Sequence, residues 1–287
     1  MSSEGKFKPK MLGIICNWCC YGGADLCGVS RFQYPTYIRL IRVMCSGRVD
    51  LKHILLAFAN GVDAMFVGGC HINDCHYNPE GNYDAMSMVN LCKKLLEHIG
   101  IDPKRLRIEW VSAGEGIRFA NIMNEFAREI EELGPLGKSE GLEGAAELKA
   151  RIEKVAKLIP YIKLEKMKKL ALHDINEDYT KLYTSEEIDG LIREAPSYWV
   201  DPDRCQACTT CARRCPADAI IGAKNQVHVI DQDKCIRCGT CLAACPPRFG
   251  AVKRIVGEPV PPPLPEEKRA IVRKGKEGAG ETSPAAA

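Results

Sequence analysis

The residues of this sequence with the most distinctive chemistry are its 16 cysteines, which fall into two groups of eight. One group lies between Cys16 and Cys92 and the other between Cys205 and Cys245. Residues 16–20 read CNWCC, so three thiols stand within five positions. Closely spaced cysteines form disulfides, redox-active dithiols, zinc sites or iron-sulfur clusters. Because a long cysteine-free stretch separates the two groups, the sequence predicts two separate sites.

The second group consists of two runs with the spacing of a cluster-binding motif. Residues 205–216 read CQACTTCARRCP and residues 235–246 read CIRCGTCLAACP, each of them C-x2-C-x2-C-x3-C-P. In bacterial two-cluster ferredoxins, three cysteines of such a run bind one [4Fe-4S] cluster and the fourth binds the other. A zinc ribbon requires neither the fourth cysteine nor its trailing proline. The predicted ligand sets are Cys205, Cys208, Cys211 and Cys245 for one cluster, and Cys235, Cys238, Cys241 and Cys215 for the other.

The elements that must position the first group alternate short apolar runs with amphipathic stretches. This pattern predicts an α/β domain with a flavodoxin-like, mainly parallel sheet, followed later by a small α+β ferredoxin domain. Ligands of such sheets collect beyond the carboxyl ends of the strands. Cys16, Cys45 and Cys70 follow the first three predicted strands, so we expect them to converge. Predicted strands cover residues 11–15, 38–44, 64–68 and 107–111, and predicted helices cover 51–60, 83–99 and 116–133. Gly61 and Gly100 lie just past the first two helices, where a left-handed residue is expected, and Ser112 is the predicted cap of the third.

Three strings carry a resemblance to a known family: ICNWCCYGGAD, RFQYPTYIRLIRVMCSGRV and VGGCHINDCHYNPEGNY. Over roughly residues 10–132 the chain resembles the delta subunit of methyl-viologen-reducing hydrogenase, the MvhD family. Members of that family carry a [2Fe-2S] cluster, so the resemblance implies one here. The family motif falls on Cys16, Cys19, Cys45, Cys70 and Cys75, five candidates for four positions. We prefer the first four because they lie at the ends of predicted strands, with Cys75 in reserve.

The resemblance also implies partners. Family members pass electrons between a hydrogenase or formate dehydrogenase module and the flavin-containing A-type subunit of an electron-bifurcating heterodisulfide-reductase-like complex. The sequence contains no nucleophile–base pair and no nickel or molybdenum motif, so we expect an electron-transfer subunit without its own substrate site. Two alternatives are a subunit of another anaerobic reductase complex, of the quinone-interacting sulfate-reduction or benzoyl-CoA reductase type, and a thiol-based redox sensor.

Two other interpretations of the first cysteine group stay open. CNWC fits a thioredoxin-like dithiol at the start of a helix, although that function leaves Cys45 and Cys70 unexplained. His71 and His76 flank the predicted ligands and have the chemistry of zinc or Rieske-type ligands, although loop histidines are more often surface residues.

The paired glycines of the N-terminal region have two possible uses. Gly22-Gly23 and Gly68-Gly69 follow predicted strands, as phosphate-binding glycines do. Neither pair forms G-x-G-x-x-G with an acidic residue placed for a ribose, so nucleotide binding is not predicted. We expect these glycines to let the backbone approach a cluster.

Composition predicts a cytoplasmic chain that binds neither nucleic acid nor membrane. The formal net charge is only +3, and the basic residues are not gathered in one block. No run approaches the roughly 20 apolar residues that span a bilayer, and the N-terminus lacks the apolar core of a signal peptide. The predicted domains are an MvhD-like domain (1–133), a helical linker (134–199), the ferredoxin domain (200–256) and a disordered tail (257–287).

Overall fold

The computed structural model describes residues 7–77, 80–138, 140–141 and 144–270. The chain divides into two compact units, Met1–Glu194 and Ala195–Ala287. Among the described residues, no helix combines the length and apolar character needed to cross a membrane.

The first unit is built on a four-stranded parallel sheet. Its order is β2-β1-β3-β4, the first four positions of the flavodoxin-like arrangement, which confirms the α/β prediction. The third strand is buried along its whole length, as expected for a central parallel strand covered on both faces. The strands are β1 (Met11–Cys16), β2 (Ile38–Val43), β3 (Ala64–Gly69) and β4 (Leu106–Trp110).

Four helices cover this sheet. The first packs on the fourth around a core that includes Ile15, Phe66, Phe119 and Phe126. The second contacts the third, which ends at the left-handed Gly100 (φ 95°), as predicted. The helices are α1 (Cys19–Val29), α2 (Leu51–Ala59), α3 (Gly81–Ile99) and α4 (Gly116–Leu133).

Helix α1 was not among the predicted helices, and its glycines explain why. A Cβ at Gly22 would lie 2.8 Å from Ala113 Cβ, and one at Gly23 would lie 2.8 Å from Val111 Cγ1. The pair therefore lets α1 pack closely on the residues between β4 and α4, although glycine disfavours helices in isolation. The expectation that Gly22 and Gly23 serve the approach to a cluster is wrong for this pair.

The predicted cap of α4 also differs. Helix α4 follows Glu115 rather than Ser112. The Ser112 N–H donates to Glu115 Oε2 at 2.7 Å, so the carboxylate organises the turn and the serine hydroxyl does not cap the helix.

The described residues between 134 and 194 pack as an outer layer of the first unit rather than as a free connector. Helix α5 contacts α2 and α3, and α8 contacts α3. A buried hydrogen bond of 2.8 Å joins Ser87 Oγ to Tyr183 OH, and Glu187 pairs with Lys166 and Lys169. The helices of this layer are α5 (Ala145–Ala156), α6 (Ile159–Glu165), α7 (Met167–Leu170) and α8 (Ser185–Arg193).

The second unit repeats one strand–helix–strand pattern twice, which confirms the predicted ferredoxin domain. Strand β5 pairs antiparallel with β8, and β6 pairs antiparallel with β7. Tyr198, Val200 and Val252 are part of its core. The elements are β5 (Ser197–Val200), α9 (Thr210–Arg213) and β6 (Ile220–Ile221), then β7 (Val229–Ile230), α10 (Thr240–Ala244) and β8 (Val252–Ile255).

The predicted tail begins with residues that pack on the second unit. Leu264 contacts its core, the Val227 N–H donates to Arg269 O at 2.8 Å, and Gln226 bridges to Ala270. The prediction of disorder is therefore wrong for residues 257–270. Leu264 packs on the core, and backbone groups near Arg269 pair with the second unit. Residues 271–287 of the predicted tail lie outside the described residues.

Candidate metal centres

The carboxyl ends of the strands bring the five predicted thiols of the first unit together. Cys16 ends β1 and Cys70 follows β3, and between these two strands the sheet order reverses, the place where such folds bind ligands. Their Sγ atoms are 3.7 Å apart. Cys45 follows β2, and its Sγ lies 3.9 Å from that of Cys75. Cys19 opens α1 and hydrogen bonds to Cys70.

The thiols differ in acidity. Hydrogen bonds from the Cys16 and Cys19 thiols, and from the backbone of His76, lower the pKa of Cys70 to about 5. The hydrogen bond to Cys70 raises the pKa of Cys16, while burial raises that of Cys19 to about 12 and that of Cys45 to about 11. Cys70 is therefore the thiol of this group that most readily becomes the thiolate, the form that binds metal.

A glycine that the sequence analysis did not single out lies against two of these thiols. A Cβ at Gly81, the first residue of α3, would be 2.1 Å from Cys45 Sγ and 3.1 Å from Cys75 Sγ. The Gly81 carbonyl also accepts a hydrogen bond of 3.5 Å from Ser46 Oγ, in the turn after Cys45. Because any other residue would displace the sulfur atoms, this position requires glycine.

The remaining cysteines of the first unit serve other purposes. The Cys20 side chain is fully buried against Gly68, where a Cβ would lie 2.4 Å from Cys20 Sγ. Its backbone N–H donates to Cys16 Sγ at 3.2 Å, so Cys20 contributes through its main chain. Cys92 is fully buried in α3, so it is a core residue.

The two histidines beside the thiols contact other side chains. His71 Nε2 lies 2.6 Å from Glu115 Oε2. The His76 ring stacks on Trp18 with 3.8 Å between ring centroids, and Tyr77 packs edge-on against the same imidazole. These contacts hold both rings in place beside the thiols.

The ferredoxin loops of the second unit have the backbone shape of an anion cradle. Ala207 (φ 49°) and Thr209 (φ 60°) are left-handed in the first loop, as are Arg237 (φ 59°) and Gly239 (φ 76°) in the second. Turns that alternate right- and left-handed residues point successive N–H groups inward, a concavity that iron-sulfur sites use. The two loops therefore fit thiolate-bound clusters.

One cavity of the second unit is lined by a complete predicted ligand set. Backbone N–H groups orient the fourth thiol of each run. The Ala251 N–H donates to Cys245 Sγ at 3.3 Å, and the Ala219 N–H donates to Cys215 Sγ at the same distance. The four cysteines that line this cavity are Cys205, Cys208, Cys211 and Cys245.

The other four thiols interact electrostatically with one another. Burial and the neighbouring Cys235 raise the pKa of Cys241 to about 12, with a further contribution from Cys238. Burial raises the pKa of Cys235, and Cys215 adds to the effect. Repulsion between neighbouring thiolates falls when they share a bound cation, so this donor set suits a metal centre.

These features define a class of protein: a flavodoxin-like domain with grouped thiols, joined to a two-cluster ferredoxin domain. Comparison with known proteins agrees. Residues 11–134 match the family model described as methyl-viologen-reducing hydrogenase, delta subunit, and residues 198–251 match the 4Fe-4S dicluster domain. The chain belongs to the methyl-viologen-reducing hydrogenase delta subunit family.

Similar proteins fall into two kinds. The iron-sulfur D subunit of the F420-non-reducing hydrogenase of Archaeoglobus profundus is 48% identical over 135 residues, which are 47% of this chain and 96% of that protein. The A subunit of the ferredoxin/F(420)H(2)-dependent CoB-CoM heterodisulfide reductase of Methanosarcina acetivorans is 50% identical over 129 residues. The matched segment is 45% of this chain but spans only 16% of that reductase protein.

Proposed function

We propose that this chain is an electron-transfer subunit with one [2Fe-2S] cluster in its first unit and two [4Fe-4S] clusters in its second. The observation that carries the proposal is the grouping of the thiols: five meet at the carboxyl ends of β1, β2 and β3, and four line a single cavity of the ferredoxin unit. When bound, such clusters accept and release one electron at a time. The chain's own residues supply the thiolates and the backbone N–H groups that tune them.

For the [2Fe-2S] cluster we propose Cys16, Cys19, Cys45 and Cys70 as ligands. Contact distances also favour Cys75, since its sulfur is as close to Cys45 as that of Cys16 is to Cys70. Cys19 and Cys75 are therefore the two residues whose replacement decides between the sets.

Two kinds of relative support the choice of partners. The domain of the first unit occurs by itself, as a hydrogenase iron-sulfur protein, and as one part of a much longer heterodisulfide reductase protein. We propose that this chain connects a hydrogenase or formate dehydrogenase module to a flavin-containing, A-type subunit of a bifurcating complex in the cytoplasm. The cysteines of the two units would hold the clusters, and the clusters would supply one-electron transfer between the two partners.

The cluster count tests the proposal most directly. Protein purified without oxygen should contain about ten irons and about ten acid-labile sulfides per chain, from one 2Fe and two 4Fe clusters. About eight of each would leave the N-terminal thiols to thiol chemistry and contradict the [2Fe-2S] assignment.

Single replacements by serine then test the ligand set. Each replacement at Cys16, Cys45 or Cys70 should abolish or alter the [2Fe-2S] signal in the electron paramagnetic resonance (EPR) spectrum of the reduced protein. A full signal in Cys70→Ser would refute the set, and loss in Cys75→Ser but not in Cys19→Ser would exchange those two ligands. Cys20→Ala is the matched control, because that thiol neighbours the site but faces Gly68.

Partners are tested by reconstitution. Purified chain, mixed anaerobically with a candidate hydrogenase and an A-type flavoprotein, should be required for reduction of the flavin by hydrogen. Equal flavin reduction without the chain, or with a variant lacking the [2Fe-2S] cluster, would contradict the relay.

A further inference from the structure

The two halves of the ferredoxin unit repeat with an offset of 30 residues. Cys205 corresponds to Cys235, and seven positions before each cysteine stands an aromatic residue, Tyr198 in one half and His228 in the other. The geometry repeats with the sequence, since the N–H groups of Cys205 and Cys235 donate to the carbonyl oxygens four residues earlier, each at 3.0 Å. Tyrosine and histidine thus occupy equivalent places with different chemistry.

His228 is buried beside one cluster site. Its side chain is 1% exposed, and Nδ1 lies 3.9 Å from Cys205 Sγ. The imidazole lines the same cavity as all four cysteines of that predicted ligand set. Its Nε2 has no hydrogen-bond partner among the residues that the structure describes. A buried polar atom without a partner costs free energy, so it marks a place where a group is expected.

The fold reserves space for this imidazole. Gly222 faces the ring, and a Cβ at that position would lie 2.8 Å from His228 Cδ2 and 3.0 Å from Cγ. Whichever ring nitrogen carries the proton, an imidazole has at least one N–H to donate. The close contact with Gly222 fixes the position of the ring, so this donor has a defined place in the cavity.

Tyr198 reaches the other loop. A Cβ at Gly239 would be 2.9 Å from the Tyr198 hydroxyl, and the thiols of Cys238 and Cys241 interact with that phenol electrostatically. Arg254 donates a hydrogen bond to the Tyr198 hydroxyl oxygen, whereas Gly222 has no side chain to offer His228. The second cluster site therefore faces a phenol whose oxygen already accepts from Arg254, and the first faces an imidazole whose Nε2 has no partner among the described residues.

We propose that His228 is a positioning residue that donates its N–H to a sulfur atom at the site of Cys205, Cys208, Cys211 and Cys245 and thereby raises the reduction potential of the cluster held there. The proposal rests on the proposed function, because it requires that the second unit bind two [4Fe-4S] clusters. Hydrogen bonds to cluster sulfur favour the reduced, more negative state. Replacement of His228 should therefore affect one cluster and leave the other unchanged.

Potentiometric titration of the full chain with dithionite, followed by EPR, tests this assignment. His228→Phe keeps an aromatic ring without a donor and should disfavour one-electron reduction of one [4Fe-4S] cluster about tenfold, a fall of about 59 mV. His228→Gln keeps an N–H and should recover most of the shift. Tyr198→Phe is the matched variant in the other half and should leave the potential of the cluster beside His228 unchanged. Potentials of both [4Fe-4S] clusters that do not respond to His228→Phe would overturn the proposal.

Iron content distinguishes a failure of the proposed function from a failure of the proposed role of His228. If the wild-type protein binds fewer than about eight irons, the proposed function fails, whereas full iron with an unresponsive potential refutes only the role of His228. Should the variants lose iron, wild-type protein labelled with ¹⁵N-histidine carries the test, because His228 is the only histidine after His173. Pulsed EPR should detect its nitrogen coupled to one reduced [4Fe-4S] cluster, and absence of that coupling would contradict the proposal.

Discussion

Replacement of Gly81 by alanine should remove the cluster of the first unit without touching a cysteine. The added Cβ would lie 2.1 Å from Cys45 Sγ, where ordinary contacts begin at 3.4 Å, so the sulfur must move by about 1.3 Å. Metal–ligand distances vary by only about 0.2 Å. Cys75 Sγ, 3.1 Å from the same Cβ, limits the room for the Cys45 thiol to turn away. We therefore expect a protein that folds but cannot hold its [2Fe-2S] cluster.

The assay is iron and sulfide content together with EPR of the reduced protein. Gly81→Ala should fall from about ten irons to about eight, with both [4Fe-4S] signals intact. Gly28→Ala is the matched control, because Gly28 lies in α1 with no described atom within 4 Å of its added Cβ. Circular dichroism should show a folded protein, since overpacking costs only about 1–3 kcal/mol. A full [2Fe-2S] signal in Gly81→Ala would refute the assignment of Cys45 to the site.

Three further changes test the surrounding structure. Arg105→Met removes the guanidinium that pairs with the buried carboxylate of Glu140 and should lower the free energy of unfolding by about 3–5 kcal/mol, measured by urea denaturation. Glu187→Gln should lower the free energy of unfolding by an amount that stays constant from about pH 8 to about pH 5.5. Burial opposes ionisation of Glu187, but Lys166 and Lys169 hold the pKa of this carboxyl below its usual range, so its stabilising contribution is lost only as the pH falls through that lowered pKa. A difference between variant and wild type that shrinks within this pH window would contradict the ion pairing. Truncation after Val256 should speed chelator removal of iron from the ferredoxin unit, whereas truncation after Ala270, which keeps every contact described for 257–270, should not.

The sheet and its helices were predictable where local pattern and tertiary structure agree. Apolar runs marked β1 to β4, and Gly100 marked the end of α3. The sequence pattern did not predict helix α1, because Gly22 and Gly23 are typical of loops. In the structure they allow α1 to pack closely against Ala113 and Val111. The pattern also failed to place residues 134–194 on the first unit, because a contact such as that between Ser87 and Tyr183 joins residues far apart in the chain.

At the two sites, the sequence predicted the candidate ligands but not the residues that surround them. Cysteine spacing identifies which thiols belong together, because a tight loop of fixed length can present them to one cluster. Gly81 lies within one of the three family-like strings and His228 within the ferredoxin repeat, but the contact of each with a sulfur atom becomes visible only when the chain is folded. The two halves of the ferredoxin unit illustrate how residues beside the predicted ligands can differ. Their predicted ligands are equivalent, whereas Tyr198 and His228 differ, and such a difference would give the two proposed clusters different reduction potentials. In the proposed relay, the order of potentials would decide where an electron rests, so a residue beside the ligands, such as His228, would influence the order of transfer.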